Sequence, residues 1–419
     1  MDMSQAVPKF SFKFLRIPSP VDKLLWLLVV LLIAGLFMIR FLGRSLPGMD
    51  VTLVFAQWWE DQMEGPVLAD LAREFTAKNP GIQVTLVKKN WPEILEFLKN
   101  PESGEVPPPD LLSLNPYWLG ALERESRLAP LGSAGDSPQT YAAPVISFIN
   151  LLFYNIDLLK EAGFDRPPKN QTEFLSYVQR ISQTGRGAYG AGFALGGQDP
   201  QSVSRHLLSW IWAAAGSPET AEDFSFNSPR VITVLTFLNQ VKENLYPGPF
   251  TTTEEALLSA FGEGKMGMII GSSSSIRVLK NALGEKFGVT TIPSAESYAK
   301  KPVFPLSGWY AGIHSGSPHP EEARKFIAFL KEKAGTLAAA AYAVPGGGRR
   351  SPEQSRNDPY YAKAFDMYEA GEMVREFYGN MILNSDIRRE MELMFAGSKT
   401  PEQCAGAIQQ SWEETRADE

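Results

Sequence analysis

Residues 51–87 read VTLVFAQWWEDQMEGPVLADLAREFTAKNPGIQVTLV, and this stretch decides the fold. Val51 to Ala56 is a short apolar run rich in β-branched residues, which predicts a strand ending on Gln57-Trp58-Trp59. From Gly65 to Asn79 the residues Val67, Leu68, Leu71 and Phe75 share one face at helical spacing, and Pro80-Gly81 ends the helix. Ile82 to Val87 alternates as a second strand. Trp91 to Leu98 then predicts a short helix, Pro107 to Pro109 a stiff connector and Asp110 to Leu114 a third strand. Strand, helix, strand, helix, strand implies a parallel sheet covered by helices. Ligands of such sheets bind beyond the carboxyl ends of the strands, which makes Trp58, Trp59, Asn115 and Tyr117 candidate site residues.

Upstream, Leu24 to Ile39 is sixteen residues without a charged or polar side chain. Carried through Phe41 and Leu42, it makes a helix of about 28 Å, close to the roughly 30 Å hydrocarbon core of a bilayer. Arg40 sits near the end, where a long cationic side chain can snorkel to the headgroups. Lys9, Lys13, Arg16 and Lys23 precede the run against Asp2 and Asp22, and only Arg40 and Arg44 follow. The heavier positive side stays in the cytoplasm. This predicts a cytoplasmic tail (1–20), a transmembrane anchor (21–42) and a linker (43–50). The protein is then single-pass in the cell inner membrane, with its remaining chain in the periplasm or extracellular space. The competing reading is a cleaved signal peptide, whose apolar core is usually shorter and followed by small residues. Leu32-Ile33-Ala34-Gly35 starts like a lipoprotein cleavage box, but Leu36 stands where that chemistry requires Cys.

Beyond the anchor lie about 370 residues, too many for one core and suited to two domains. With 44% hydrophobic and 21% charged residues the chain is ordinary globular material. A net charge of −7 argues against a nucleic-acid or anionic-membrane surface. The lone cysteine, Cys404, rules out an intrachain disulfide and reads as a small buried helix residue.

Pro144 to Tyr154 predicts one long apolar strand. Asp157 is placed to N-cap a short helix ending at Gly163, and Thr172 to cap Glu173 to Ile181. The Gly-rich stretch from Gly185 to Gly197 predicts a strand with turns, and Val203 to Ala215, Pro229 to Asn244 and Thr253 to Gly262 predict helices. Met266 to Gly271 is a buried strand opening on Ser272 to Ser275, with a helix from near Ile276. Gly288 to Ile292 is again a strand, and Glu321 to Lys331 a helix. The end is wholly helical. Thr400 and Gln403 are spaced for a capping box around Pro401.

Four stretches together resemble the bacterial extracellular solute-binding proteins of ABC importers, in the group containing the maltose-binding protein. They are Val51 to Val87; Leu152 to Gly163 (LFYNIDLLKEAG) with Pro167-Pro168 and Thr172 to Leu175; Gly264 to Met268 with Phe287 to Val289; and Gly308-Trp309-Tyr310 with Pro318 to Ala323 and Phe326 to Leu330. Their order and spacing cover nearly all of the chain beyond the anchor. The resemblance implies an α/β, two-lobed periplasmic-binding-protein fold of type II, with hinge-linked lobes preceded by the single N-terminal transmembrane helix. The lobes would be 51–148 plus 309–345 and 149–308 plus 346–419, with crossings near Phe148, Ser307 and Gly346. Ligand would sit between them, favouring the closed form by its extra contacts there.

Against that frame the candidate residues gain roles. Trp58 and Trp59 are neighbours, so if both are extended they point to opposite faces and one can face a cleft while the other joins the core. A flat aromatic suits the apolar face of a sugar ring. Trp210 and Trp212 lie about 200° apart on a helix, which again allows one in each environment. Asn115 and Tyr117 match positions where relatives contact ligand. Phe148 matches a position where maltose-binding members have an acidic contact. Ser273, within Ser272 to Ser275, lies where they have stacking tryptophans, which puts maltodextrin specificity in question. Hydroxyls and free N–H groups at a helix start bind polar or anionic atoms. Trp309, at a crossing, is the strongest single aromatic; Tyr378 and Arg349 are weaker candidates.

Little points to an enzyme. His206, His314 and His319 have no metal-ligand spacing, and no nucleophile elbow is present. Gly262-Glu263-Gly264-Lys265 approaches a P-loop, but Ser259 stands where the earlier glycine belongs. The expectation is therefore a membrane-anchored solute-binding protein, without cofactor or metal, that delivers a small ligand such as a sugar or oligosaccharide to ABC permease subunits. Alternatives are a ligand-binding sensor component and a hydrolase of envelope polysaccharide.

Overall fold

A computed structural model describes residues 51–63, 65–99, 108–132, 140–184, 187–196, 201–216, 224–295, 301–305, 307–346, 357–374 and 381–417. The expected tail, anchor and linker, and the candidates Arg349 and Tyr378, lie outside these residues. Among the described residues, no helix is long and apolar enough to cross a membrane.

In chain order the first elements are β1 (Val51–Gln57), α1 (Val67–Lys78), β2 (Ile82–Lys88), α2 (Trp91–Lys99), β3 (Leu111–Leu114), α3 (Leu119–Arg124) and β4 (Leu128–Ala129). Then follow β5 (Ala142–Phe148), β6 (Asn150–Asn155), α4 (Ile156–Glu161), α5 (Gln171–Ser182), β7 (Tyr189–Gly192), α6 (Gln201–Ala215) and α7 (Pro229–Val241). Next come α8 (Glu254–Gly262), β8 (Met266–Ser272), α9 (Ser275–Leu283), β9 (Phe287–Thr290), β10 (Val303–Pro305), β11 (Ser307–His314), α10 (Pro320–Glu332) and α11 (Ala334–Ala340). The chain closes with β12 (Val344–Pro345), α12 (Pro359–Ala370), β13 (Glu372–Val374), α13 (Met381–Phe395) and α14 (Pro401–Ala417).

The strands form two main sheets. The larger has the order β12-β5-β11-β3-β1-β2, with β4 added beside β11, and the smaller has the order β7-β8-β6-β9. A short pair, β10 with β13, stands apart from both. As the alternation of strands and helices requires, β1 and β3 run parallel, Phe55 opposite Leu111. The larger sheet is nevertheless mixed, because β11 enters between β3 and β5 antiparallel to both. It arrives from almost 200 residues downstream, so no local pattern announces it.

The expected single strand from Pro144 to Tyr154 is two strands. The chain leaves the larger sheet at Phe148, passes through Ile149 and enters the smaller sheet at Asn150. Ser307 pairs with Phe148 on one side of that break and Asn150 with Ser272 on the other. Unbroken hydrophobicity identifies a buried strand, but carries no mark of which sheet it belongs to.

The helices follow their apolar faces. Phe75 of α1 packs against Phe326 and Phe329 of α10, with ring centroids 5.0 and 5.4 Å apart, and each buried Phe is worth roughly 2 kcal/mol. Caps are set by side chains that reach backward. Asn155 rather than Asp157 caps α4, accepting from Leu158 N at 3.1 Å, and Asn170 rather than Thr172 caps α5, accepting from Glu173 N at 2.8 Å. The expected box at the start of α14 is present: Thr400 N donates to Gln403 Oε1 at 2.9 Å and Gln403 N to Thr400 Oγ1 at 3.3 Å. Cys404 is buried, and its surroundings push the thiol up to about 12 through desolvation, reinforced by Glu390.

Candidate functional site

At the Phe148–Asn150 crossing the carboxyl end of β5 runs into the start of β6, which pairs with the end of β8. Rings from beyond the end of β1 reach Phe148 through Trp309. Trp309 enters here near the start of β11 and is 2% exposed. Its ring stacks on Trp59 with centroids 5.1 Å apart and planes at 7°, and meets Phe148 edge-on at 5.6 Å. Trp309 Nε1 donates to Gln62 Oε1 at 2.8 Å. Three of the predicted site residues thus form one aromatic cluster. Trp59 is the inward member of its pair, fully buried against Phe55 as well. Trp58 is the partly exposed one, edge-on to Trp118 at 5.7 Å. The pair lies past the end of β1, not in extended chain: Trp58 has φ −111° and ψ 1°, Trp59 opens a 3₁₀ turn to Gln62, and of the two only Trp58 is partly exposed.

Gly308 explains how Trp309 reaches this position. Its φ is 150°, and a Cβ there would stand 2.1 Å from the Ile146 carbonyl oxygen. The strand β11 therefore approaches β5 more closely than any other residue allows.

Asn115 follows β3, half-buried, and its carbonyl accepts from Trp118 N at 3.0 Å. Tyr117 lies in the short 3₁₀ turn Pro116–Trp118. Both therefore flank Trp118, which supports Trp58.

Polar groups come from the smaller sheet. Asn150 Nδ2 donates to Ser209 Oγ on α6 at 2.9 Å. Ser272 and Ser274, both half-buried, share a hydroxyl hydrogen bond of 2.9 Å at the start of α9. Ser273 is turned inward, 2% exposed; its N–H donates to Ile149 O at 2.8 Å and its hydroxyl accepts from Ile149 N at 3.5 Å. It ties the crossing strand to β8, and its neighbours Ser272 and Ser274 are the ones that keep accessible hydroxyls.

Trp210 lies elsewhere. It is fully buried in the core beside the smaller sheet, 5.1 Å from Phe174 and 4.9 Å from Phe237. Its Nε1 donates to His206 Nε2 at 3.3 Å. Trp212, on the other side of α6, is equally enclosed, against Phe224. The 200° separation sends the two rings in different directions, but α6 is covered on both, by α5 and α7 on one side and the α13–α14 region on the other. From Leu207 to Ala215 the helix is apolar at every position but Ser209, and helices apolar on all sides are interior.

Gln62, Trp118, Asn150 and Ser209 were not foreseen. Asn150 carried a usable signal, an amide inside an apolar run. Gln62 had none, since its partner Trp309 is almost 250 residues away. Among the described residues, no group of three or more His, Cys, Asp or Glu side chains converges as a metal site. A hollow of about 90 Å³ lies beside the crossing, lined by Asn150, Lys169, Ser294, Lys301 and Pro305 among others. A larger one of about 460 Å³ lies under α2, between Phe97, Ile94 and Leu112.

Two α/β sheets, joined by a strand that passes from one to the other and lined at that junction by aromatics, amides and hydroxyls, define a two-lobed solute-binding fold. The sequence profile of bacterial extracellular solute-binding proteins matches residues 59–337, more than half of the chain. The chain belongs to that family. It is 25% identical over 327 residues to a protein of Brucella abortus (strain 2308) named as a binding protein, covering 72% of this chain and 76% of the relative. A Deinococcus radiodurans protein named as an ABC transporter-binding protein is 23% identical over 205 residues, 45% of this chain and 46% of its own length. Among solved structures, the GacH receptor of Streptomyces glaucescens, known unliganded and with acarbose, aligns with a TM-score of 0.70 and 18% identity over 87% of this chain and 98% of the receptor. Maltose-bound MalE3 of T. maritima aligns at 0.69 and 19% identity, over 87% of this chain and 100% of its own.

Proposed function

We propose that this protein captures a small carbohydrate between its lobes and delivers it to the permease of an ABC importer, without covalent chemistry. The lobes are 51–148 plus 309–345 and 149–308 plus 346–419, and the helix 21–42 holds them to the outer face of the cytoplasmic membrane. The observation that carries the reading is the junction at Phe148–Asn150. The smaller sheet brings the amide of Asn150 and the half-buried hydroxyls of Ser272 and Ser274 to that junction. The partly exposed Trp58, next in the chain to Trp59 of the aromatic cluster, is the stacking face assigned to the same ligand. Aromatic faces take the apolar side of a sugar ring, and fixed amides and hydroxyls take its hydroxyl groups. The family and the sugar-bound relatives of like fold support it.

The test is a thermal-shift screen of mono- and oligosaccharides, followed by calorimetry with Trp58→Ala. Stabilisation by a sugar that emerges chemically unchanged, weakened tenfold or more in the variant, is expected from the loss of one stacking face. Sugar turnover, or full affinity in Trp58→Ala, would count against the reading. For the anchor, fractionation should place the protein in the membrane, and a mature N-terminus beyond Gly43 would refute retention.

A further inference from the structure

Lys280, Tyr342 and Asp358 come from three separate stretches and meet in one network. Lys280 Nζ donates to Asp358 Oδ2 at 2.5 Å and to the Tyr342 hydroxyl at 2.9 Å, and that hydroxyl donates to the same carboxylate oxygen at 2.7 Å. The ammonium also stands 5.4 Å from the centre of the Tyr342 ring.

Two of the three belong with the smaller sheet. Lys280 is on α9, which begins at the serine loop after β8. Asp358 caps α12, accepting from the N–H groups of Tyr360 and Tyr361. That helix is fastened to β9, where Tyr360 stacks on Phe287 at 4.4 Å and its hydroxyl donates to the Phe287 carbonyl at 2.8 Å. Tyr342 comes from the other side. It lies two residues before β12, which pairs with β5 in the larger sheet. Its φ of 51° puts a bulky side chain in the left-handed region, a conformation that persists only where the surroundings hold it. Tyr342 and Val344 are both buried in a cluster with Ile149, Phe153, Leu279 and Tyr361.

We propose that the Lys280–Tyr342–Asp358 network is the fixed pivot about which the two lobes turn. The proposal rests on the two-lobed solute-binding reading, but not on the ligand being a sugar. Hydrogen bonds this short are lost if their atoms separate by about 1 Å, and a half-buried ion pair resists being parted. Packed clusters shift between discrete arrangements and do not stretch, so rotation must be absorbed where the chain is free of such ties. At Ile149, between β5 and β6, both main-chain groups are instead held by Ser273, so the crossing strand moves with β8 and the serine loop. Because α9 begins at Ser272 to Ser275, the pivot also fixes the distance from the hinge to the serine loop. Turning then carries that loop as a rigid arm.

The experiment measures the distance between spin labels at Thr85→Cys on β2 and Gln179→Cys on α5, both exposed, in the full-length protein without ligand. Cys404 is buried and does not compete for label. Tyr342→Phe removes one hydroxyl and Lys280→Met one ammonium. Either is expected to widen the distance distribution about twofold, while Lys280→Arg, which keeps a donor for both oxygens, stays near the parent width. Unchanged mean and width in both Tyr342→Phe and Lys280→Met, with circular dichroism confirming native fold, overturn the pivot. Failure of the solute-binding reading is separate: it appears as a doubly labelled parent protein whose mean distance is shifted by none of a panel of sugars, amino acids and small anions.

Discussion

Trp59 and Trp309 lie face to face, 5.1 Å apart, although 250 positions separate them in the chain. The stack joins the end of β1 to the start of β11, and so fastens the late-arriving central strand to the first. Neither ring is exposed by more than 2%, so in this conformation they support the site from behind. Trp59→Ala should therefore cost roughly 3–5 kcal/mol in denaturant unfolding, as for other large buried aromatics. Gln62→Leu, which removes the acceptor of Trp309 Nε1, should cost about 1 kcal/mol and shift the tryptophan emission. Equal, small effects for both would mean that the stack carries no stability.

Gly308→Ala tests the close approach of β5 and β11. The added methyl would meet a backbone carbonyl at 2.1 Å, not a side chain that can swing aside. The strands must part, and the pairing of Ser307 with Phe148 lies at that point. A loss of 2 kcal/mol or more is expected by analogy with overpacking, larger than for Gly264→Ala, where φ is also positive but the space is open. Equal losses at the two glycines would place the cost in φ alone.

Glu173 links a cap to an ion pair. Its carboxylate accepts two bonds from Arg166, at 2.7 and 2.8 Å, and one from Lys169 N at 2.8 Å, which together hold it down to about 2. A lowered folded value means stability that is present above about pH 4.5 and lost as pH falls towards 2. The side chain is 30% exposed and that of Arg166 42%, so solvent screening keeps the gain near 1 kcal/mol. Glu173→Gln should remove about that much at pH 7 and almost nothing at pH 2, measured by urea unfolding.

The strand–helix order of residues 51–114 was legible because each element is amphipathic at its own period and its ends carry turn residues. The capping box at Thr400 was legible for the same reason: it is local. What could not be read was long-range. The break at Ile149 leaves no trace in a run that is apolar on both sides, and β11 is placed by pairing with strands far upstream. At the site, the two tryptophan pairs show the limit. Trp58 and Trp59 do fall in different environments, but not by strand alternation, because β1 ends at Gln57 and the chain turns there into a 3₁₀ helix. Helical geometry separates Trp210 from Trp212, but the second layer formed by α13 and α14 encloses both. Those helices come from the last 40 residues, so the burial of α6 depends on chain that its own pattern does not include.

His206 makes the sharpest pH prediction. It is on α6, fully enclosed, with Phe193 4.2 Å away and Trp210 Nε1 donating to its Nε2. An acceptor Nε2 requires the neutral ring with its proton on Nδ1. Desolvation lowers its value from 6.5 to about 3. The unfolded chain takes up the proton first, so stability is full above pH 6.5 and declines as pH falls from there towards 3. Between pH 6.5 and 5 the loss should be about 2 kcal/mol. His314, also lowered by burial and by Arg127, acts in the same direction. Glu173 contributes only below about pH 4.5, so the window from 6.5 to 5 reports the histidines. Unfolding of the parent and of His206→Gln across that window should give a visibly flatter profile for the variant. Parallel profiles would mean that His206 takes up its proton in the folded protein, and that its hydrogen bond with Trp210 does not survive as drawn.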